Sequence, residues 1–166
     1  MIFVPELNIM RREYITTSHK QTQKLGEMLA EELRGGEIIC LTGELGSGKT
    51  TFAQGILRGL GVRGPYTSPT FLVVKHYKKI ISNFKFQISN QIQSLRYKIQ
   101  NIYHIDCYRV KAQDILELGW KEIIANKNNV VIVEWAEKIR RIIPKNSVWI
   151  KFEYKGKSER KISMNF

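Results

Sequence analysis

Several things are scarce in this chain, and each scarcity narrows what it can be. No apolar run approaches the roughly 20 residues that a membrane-spanning helix needs, and Met1-Ile2-Phe3-Val4-Pro5-Glu6 lacks the charged start and long apolar centre of a signal peptide. A cytoplasmic protein with no membrane contact is expected. Cysteine is nearly absent: Cys40 and Cys107 stand alone in apolar, strand-like surroundings. That excludes zinc-type spacing and predicts two buried free thiols rather than a disulfide. Acidic residues are missing altogether between Glu44 and Asp106, a stretch that contains Lys49, Arg58, Arg63, Lys75, Lys78, Lys79, Lys85, Arg96 and Lys98. Over the whole chain 27 basic against 15 acidic residues give a net charge of +12. Such a balance fits a polyanionic partner, or equally a solvated basic surface. With 166 residues, 43% of them hydrophobic, one globular domain spanning residues 1–166 is the expectation.

What is present begins with Gly43-Glu44-Leu45-Gly46-Ser47-Gly48-Lys49-Thr50, which fits the phosphate-loop pattern G-x-x-x-x-G-K-[ST] at every fixed position. Its context is right as well. Glu37 to Leu41 is a short apolar run ahead of it, and Thr51 to Leu60 behind it carries Phe52, Ile56, Leu57 and Leu60 on one helical face. Glycines let the backbone curl so that several N–H groups and a helix N-terminus converge on anionic phosphates. Lys49 would add a point charge at the β and γ phosphates, and Thr50 would offer its hydroxyl to Mg2+. ATP or GTP is the implied ligand.

Ser18-His19-Lys20-Gln21 reads as a capping box opening a helix through Leu25, Leu29 and Leu33, stopped by Gly35-Gly36. Strands are predicted at Phe71 to Tyr77 and Asn101 to Tyr108, and short helices at Ala112 to Leu118 and Trp120 to Ala125. Val130 to Val133 is apolar without alternation, the mark of a strand covered on both faces, and it ends on Glu134 in the manner of a Walker B strand. Ser147 to Tyr154 and Glu159 to Phe166 alternate around Lys155-Gly156-Lys157, predicting an antiparallel hairpin at a sheet edge. The ensemble is an α/β, three-layer P-loop NTPase fold with a mostly parallel central sheet and antiparallel edge strands. The stretch from Lys78 to Gln100 is rich in Asn, Gln, Ser, Ile and Lys and repeats itself loosely. It reads as an insertion between two paired strands, either a hairpin arm or a loop.

A phosphate loop needs acids across the metal from it. Asp106 and Glu134 both close predicted strands, and in a parallel sheet those ends share an edge with the loop. No nucleophilic triad and no acceptor pocket accompany them, so hydrolysis is the simplest reaction left.

Together, the phosphate loop with Thr51-Phe52, then Thr67-Ser68-Pro69-Thr70-Phe71, Tyr103-His104-Ile105-Asp106-Cys107-Tyr108-Arg109, Glu117-Leu118-Gly119 and Val133-Glu134-Trp135 closely resemble the TsaE family. The Lys78 to Gln100 insertion departs from that family's pattern. The resemblance implies a Mg2+-dependent ATPase of tRNA threonylcarbamoyladenosine modification at position 37, acting with TsaB and TsaD homologues and touching tRNA directly or through them. It implies a nucleotide-binding set of Glu44, Leu45, Gly46, Ser47, Gly48, Lys49, Thr50 and Thr51, with His19 near the adenine. Lys49, Asp106 and Glu134 would serve catalysis, with Thr50 and Glu134 on the metal. Ser68 and Thr70 would form a switch-like loop sensing the γ-phosphate, and Trp135 would lie close by. No arginine finger is identifiable, so turnover by the chain alone should be slow and faster with partners. Two other readings stay open: a small P-loop kinase, for which Arg63, Arg96 and Arg109 are too scattered to make a lid, and a nucleotide-dependent RNA-binding module.

Overall fold

The computed structural model describes residues 11–66, 69, 72–79 and 98–166. In chain order they form β1 (Arg11–Thr16), α1 (His19–Glu32), β2 (Ile38–Thr42), α2 (Lys49–Gly59), β3 (Val74–Lys78), β4 (Asn101–Asp106), α3 (Ala112–Glu117), α4 (Trp120–Ala125), β5 (Asn129–Glu134), a 3-10 segment (Ala136–Ile142), β6 (Val148–Tyr154) and β7 (Arg160–Asn165). The strands make one seven-stranded sheet in the order β1-β7-β6-β2-β5-β4-β3. Its middle, β6-β2-β5-β4, is parallel. β3 is antiparallel to β4 at one edge, and β7 and then β1 add antiparallel at the other.

The unbroken apolar runs of β2 and β5 serve two cores at once, because successive side chains point to opposite faces. Ile39, Leu41, Val130 and Ile132 join the cluster under α1 and α2. Ile38, Cys40, Val131 and Val133 join the other, with Ala112, Ile115, Trp120 and Ile139. Three layers result. α1 and α2 approach closely through small residues: a Cβ added at Gly55 would stand 2.1 Å from the Gln23 carbonyl oxygen, and one at Gly26 would stand 2.3 Å from that of Phe52. Trp120 anchors the opposite layer by donating its indole N–H to the Ile142 carbonyl at 3.0 Å.

Four expectations need correction. The hairpin of β6 and β7 is not at the sheet edge: β6 lies inside, paired in parallel with β2. The edge is β1, whose charged start, Arg11-Arg12-Glu13, hides a strand with a half-buried alternate face, a composition that suits an edge. β4 stops at Asp106 rather than Tyr108: Cys107 N makes the last ladder bond to the Glu134 carbonyl, and Tyr108 N turns back to Asp106 Oδ1 at 2.8 Å. β3 begins at Val74, after Val73 takes a left-handed φ of 61°; Phe71 lies outside the described residues. The capping box is only half reciprocal. Ser18 Oγ accepts from Gln21 N, but Gln21 Oε1 accepts from Thr17 N instead of Ser18 N.

β3 and β4 are indeed paired across the predicted insertion, most of which, residues 80–97, lies outside the described residues. Both cysteines are free and buried, and burial pushes each thiol up to about 12. No helix among the described residues is long and apolar enough to cross a membrane.

Candidate functional site

Strand parity places the polar groups. Ile102 of β4 belongs to the core under α1 and α2 while Ile105 belongs to the opposite core, so His104 and Asp106 face the α2 side with Ile102. On β5 the same parity turns Glu134 to that side with Val130 and Ile132. Asp106 and Glu134 are register partners. Since β2, β4 and β5 are parallel, their C-terminal ends and the loop after β2 share one edge.

The loop itself depends on backbone shapes that side chains resist. Gly43, Gly46 and Gly48 have φ of 136°, 74° and 105°. A Cβ at Gly43 would also come within 2.4 Å of the Phe152 carbonyl. Gly48 caps α2 without any side-chain hydrogen bond, which leaves the first amides of the helix for an anion. Ser47 Oγ is buried and, among the described residues, has no hydrogen-bond partner. An orphaned buried hydroxyl costs about 1–3 kcal/mol, and a phosphate oxygen in the cradle would satisfy it.

Lys49 is only 4% exposed. Its Nζ donates to the carbonyls of Gly43 at 2.7 Å and Glu44 at 2.8 Å and lies 3.9 Å from the centre of the Trp135 ring. Burial holds its pKa below the usual lysine range, against the opposing pull of Glu134, Glu137 and Asp106. Trp135 reaches this place through a left-handed φ of 58°, an outlier for an aromatic residue of the kind that gathers at functional sites. Its ring also lies 4.9 Å from that of Tyr108.

Thr50 Oγ1 donates to Glu134 Oε2 at 2.7 Å. The other carboxylate oxygen, Oε1, is 2.8 Å from His104 Nε2, and because a carboxylate only accepts, Nε2 carries the hydrogen. Glu134, His104 and Asp106 are all buried. Among the described residues no three or more His, Cys, Asp or Glu side chains group to hold a metal. The hydroxyl of Thr50 with the carboxylates of Glu134 and Asp106 is a hard-oxygen set that fits Mg2+, an ion that keeps waters and substrate phosphates as ligands instead of an all-protein cage.

Two adjoining hollows open here. One, of about 390 Å³, is bounded by Lys49, Thr50, Asp106, Tyr108, Glu134 and Trp135. The other, of about 180 Å³, lies between the start of α1 (Thr17, Ser18, Thr22) and the hairpin residues Lys157, Ser158 and Arg160. His19, Gly46, Gly48 and Thr51 border both. Leu45 also borders the first, and Glu44 takes part through its carbonyl. Ser68 and Thr70 lie outside the described residues. Sequence reasoning gave no role to His104, Tyr108, Arg109, Lys157, Ser158 or Arg160. His104 carried a signal, because it stands in the Tyr103 to Arg109 segment of the family resemblance and shares the buried face of its strand with Asp106. The hairpin residues carried none, since their nearness to the loop comes from β6 pairing with β2.

Residues 16–162 match the model of the family described as threonylcarbamoyl adenosine biosynthesis protein TsaE. The chain is similar to the tRNA threonylcarbamoyladenosine biosynthesis protein TsaE of Rickettsia felis, with 31% identity covering 90% of this chain and 77% of that one. It is similar to the protein of the same name from Bacillus subtilis, with 29% identity covering 89% and 81%. The crystal structure of YdiB from Bacillus subtilis shares the fold, at a TM-score of 0.69 and 23% identity over 96% of this chain and 88% of that one.

Proposed function

We propose that this chain, which belongs to the TsaE family of threonylcarbamoyl adenosine biosynthesis proteins, binds ATP with Mg2+ and hydrolyses it during modification of tRNA adenosine 37. Homologues of TsaB and TsaD are its partners in this reading, and it works in the cytoplasm. The observation that carries the proposal is the 2.7 Å bond from Thr50 to Glu134, which joins the last residue of the phosphate loop to the acid across the sheet.

The amides from Gly43 to Thr50 and the Ser47 hydroxyl bind the phosphates. Lys49 exchanges the carbonyls of Gly43 and Glu44 for phosphate oxygens. Thr50 and Glu134 would hold Mg2+, which would supply positive charge against the negative charge of the phosphates. Asp106, beside Glu134 in the register, orients the attacking water, and Trp135 with Tyr108 shields that side from bulk solvent. The hollow by Thr17 to His19 and Arg160 receives the nucleoside.

Phosphate release from ATP, measured with and without the two partner proteins, tests the activity. Slow turnover alone that rises with partners is expected; full activity of the isolated chain, or none with partners, overturns the reading. Complementation of a strain lacking the modification, followed by nucleoside analysis, tests the pathway.

A further inference from the structure

We propose that His104 is a positioning residue that aims the Glu134 carboxylate, fixing one oxygen so that the other is presented to Thr50 and the metal. The inference rests on the site being a Mg2+–nucleotide centre. A glutamate side chain at a strand end has rotational freedom about its last bond. Here that freedom is removed from two sides: His104 Nε2 donates to Oε1 at 2.8 Å while Thr50 Oγ1 donates to Oε2 at 2.7 Å. The two donors differ in kind. Thr50 is half-buried at the mouth of the loop and exchanges partners when a metal enters, whereas His104 is 1% exposed on β4, directly opposite Ile132 of β5. It reaches Glu134 diagonally across the strand pair and stays in place.

A purely structural histidine in a core generally satisfies both ring nitrogens. Among the described residues His104 Nδ1 is buried and has no hydrogen-bond partner, so the polar contact the ring makes there is with this carboxylate. That arrangement matches outer-shell donors, which orient ligating groups and whose loss typically changes metal affinity or activity by about 10- to 100-fold.

The test is ATP binding by calorimetry, first in EDTA and then across a Mg2+ titration, for the wild-type chain and His104→Gln, His104→Asn and His104→Leu. Glutamine places an amide where Nε2 sits, asparagine only where Nδ1 sits, and leucine offers no donor. ATP affinity in EDTA is expected to stay within about 2-fold in all three. The half-saturating Mg2+ concentration should rise about 10-fold or more in the Leu and Asn variants and stay within about 3-fold of wild type in the Gln variant. Should His104→Leu fail to fold, the Gln and Asn pair carries the comparison, because both are polar amides that differ in reach. Wild-type Mg2+ dependence in the Asn and Leu variants, or a loss in Gln as large as in Asn, overturns the assignment alone. A wild-type chain whose ATP binding ignores Mg2+ overturns the nucleotide reading, and the role of His104 with it.

Discussion

The two faces of the one sheet are cut from alternate residues of the same strands, and they diverge toward the strand ends. Under α1 and α2, β4 reads Ile102, His104, Asp106 and β5 reads Val130, Ile132, Glu134. The opposite face begins on a bonded amide pair, Asn101 on β4 and Asn129 on β5, and then turns apolar toward the strand ends with Tyr103 and Ile105, Val131 and Val133. Polar groups are tolerated in the first case because the open N-terminus of α2, Thr50 and Lys49 lie over them and supply donors and positive charge. The second face has short helices and Trp120 over its strand ends, and the side chains gathered there are apolar. One face thus carries chemistry on top of its packing, while the other carries packing alone.

Substitutions that separate chemistry from stability test this contrast. Glu134→Gln should have the largest effect, lowering Mg2+-dependent ATP hydrolysis on the order of 10²- to 10³-fold with ATP affinity in EDTA nearly kept. Single-turnover phosphate release measures it, and unchanged hydrolysis would remove Glu134 from the site. Lys49→Ala should weaken ATP binding about 10²-fold through loss of the buried charge, leaving the melting temperature level or higher; calorimetry that finds wild-type affinity sinks the phosphate role.

Gly55→Ala should do the reverse, forcing α1 from α2 at the 2.1 Å approach to Gln23. A loss of about 1–3 kcal/mol by denaturant titration is expected, with hydrolysis per folded molecule retained. Equal stability would mean that the helices separate without cost.

The mildest effect belongs to the thiols of Cys40 and Cys107, both in the second core. An ordinary thiol loses its proton near 9, and these do so only at about 12. The folded chain therefore keeps protons that the unfolded chain releases. Stability present below pH 9 is lost as pH climbs toward 12, by about 1 kcal/mol per thiol near pH 9.5. Denaturation midpoints across that range check the sign, and rapid native-state reaction with a disulfide reagent at pH 8 would show that the thiols are not shielded.

Much of the site could be read before folding. Gly43 to Thr50 announced the cradle, and Asp106 and Glu134 were legible as acids closing strands. His104 was harder, because a histidine inside an apolar run reads the same whether it satisfies a core or serves a ligand. β1 was hidden by its charges, which an edge strand accepts on its solvent side. The hairpin of β6 and β7 was recognised as a hairpin but put in the wrong place.

By itself the chain settles what neighbours along it decide: glycines at positive φ, helix starts, buried alternation, the two free thiols. Such features follow from local sterics and from periodic burial. Which strands sit side by side follows instead from closing two cores over one sheet, a contest among segments remote in sequence. That contest brought Asp106 level with Glu134, set Arg160 and Tyr154 beside Gly46 and Leu45, and gave His104 its carboxylate.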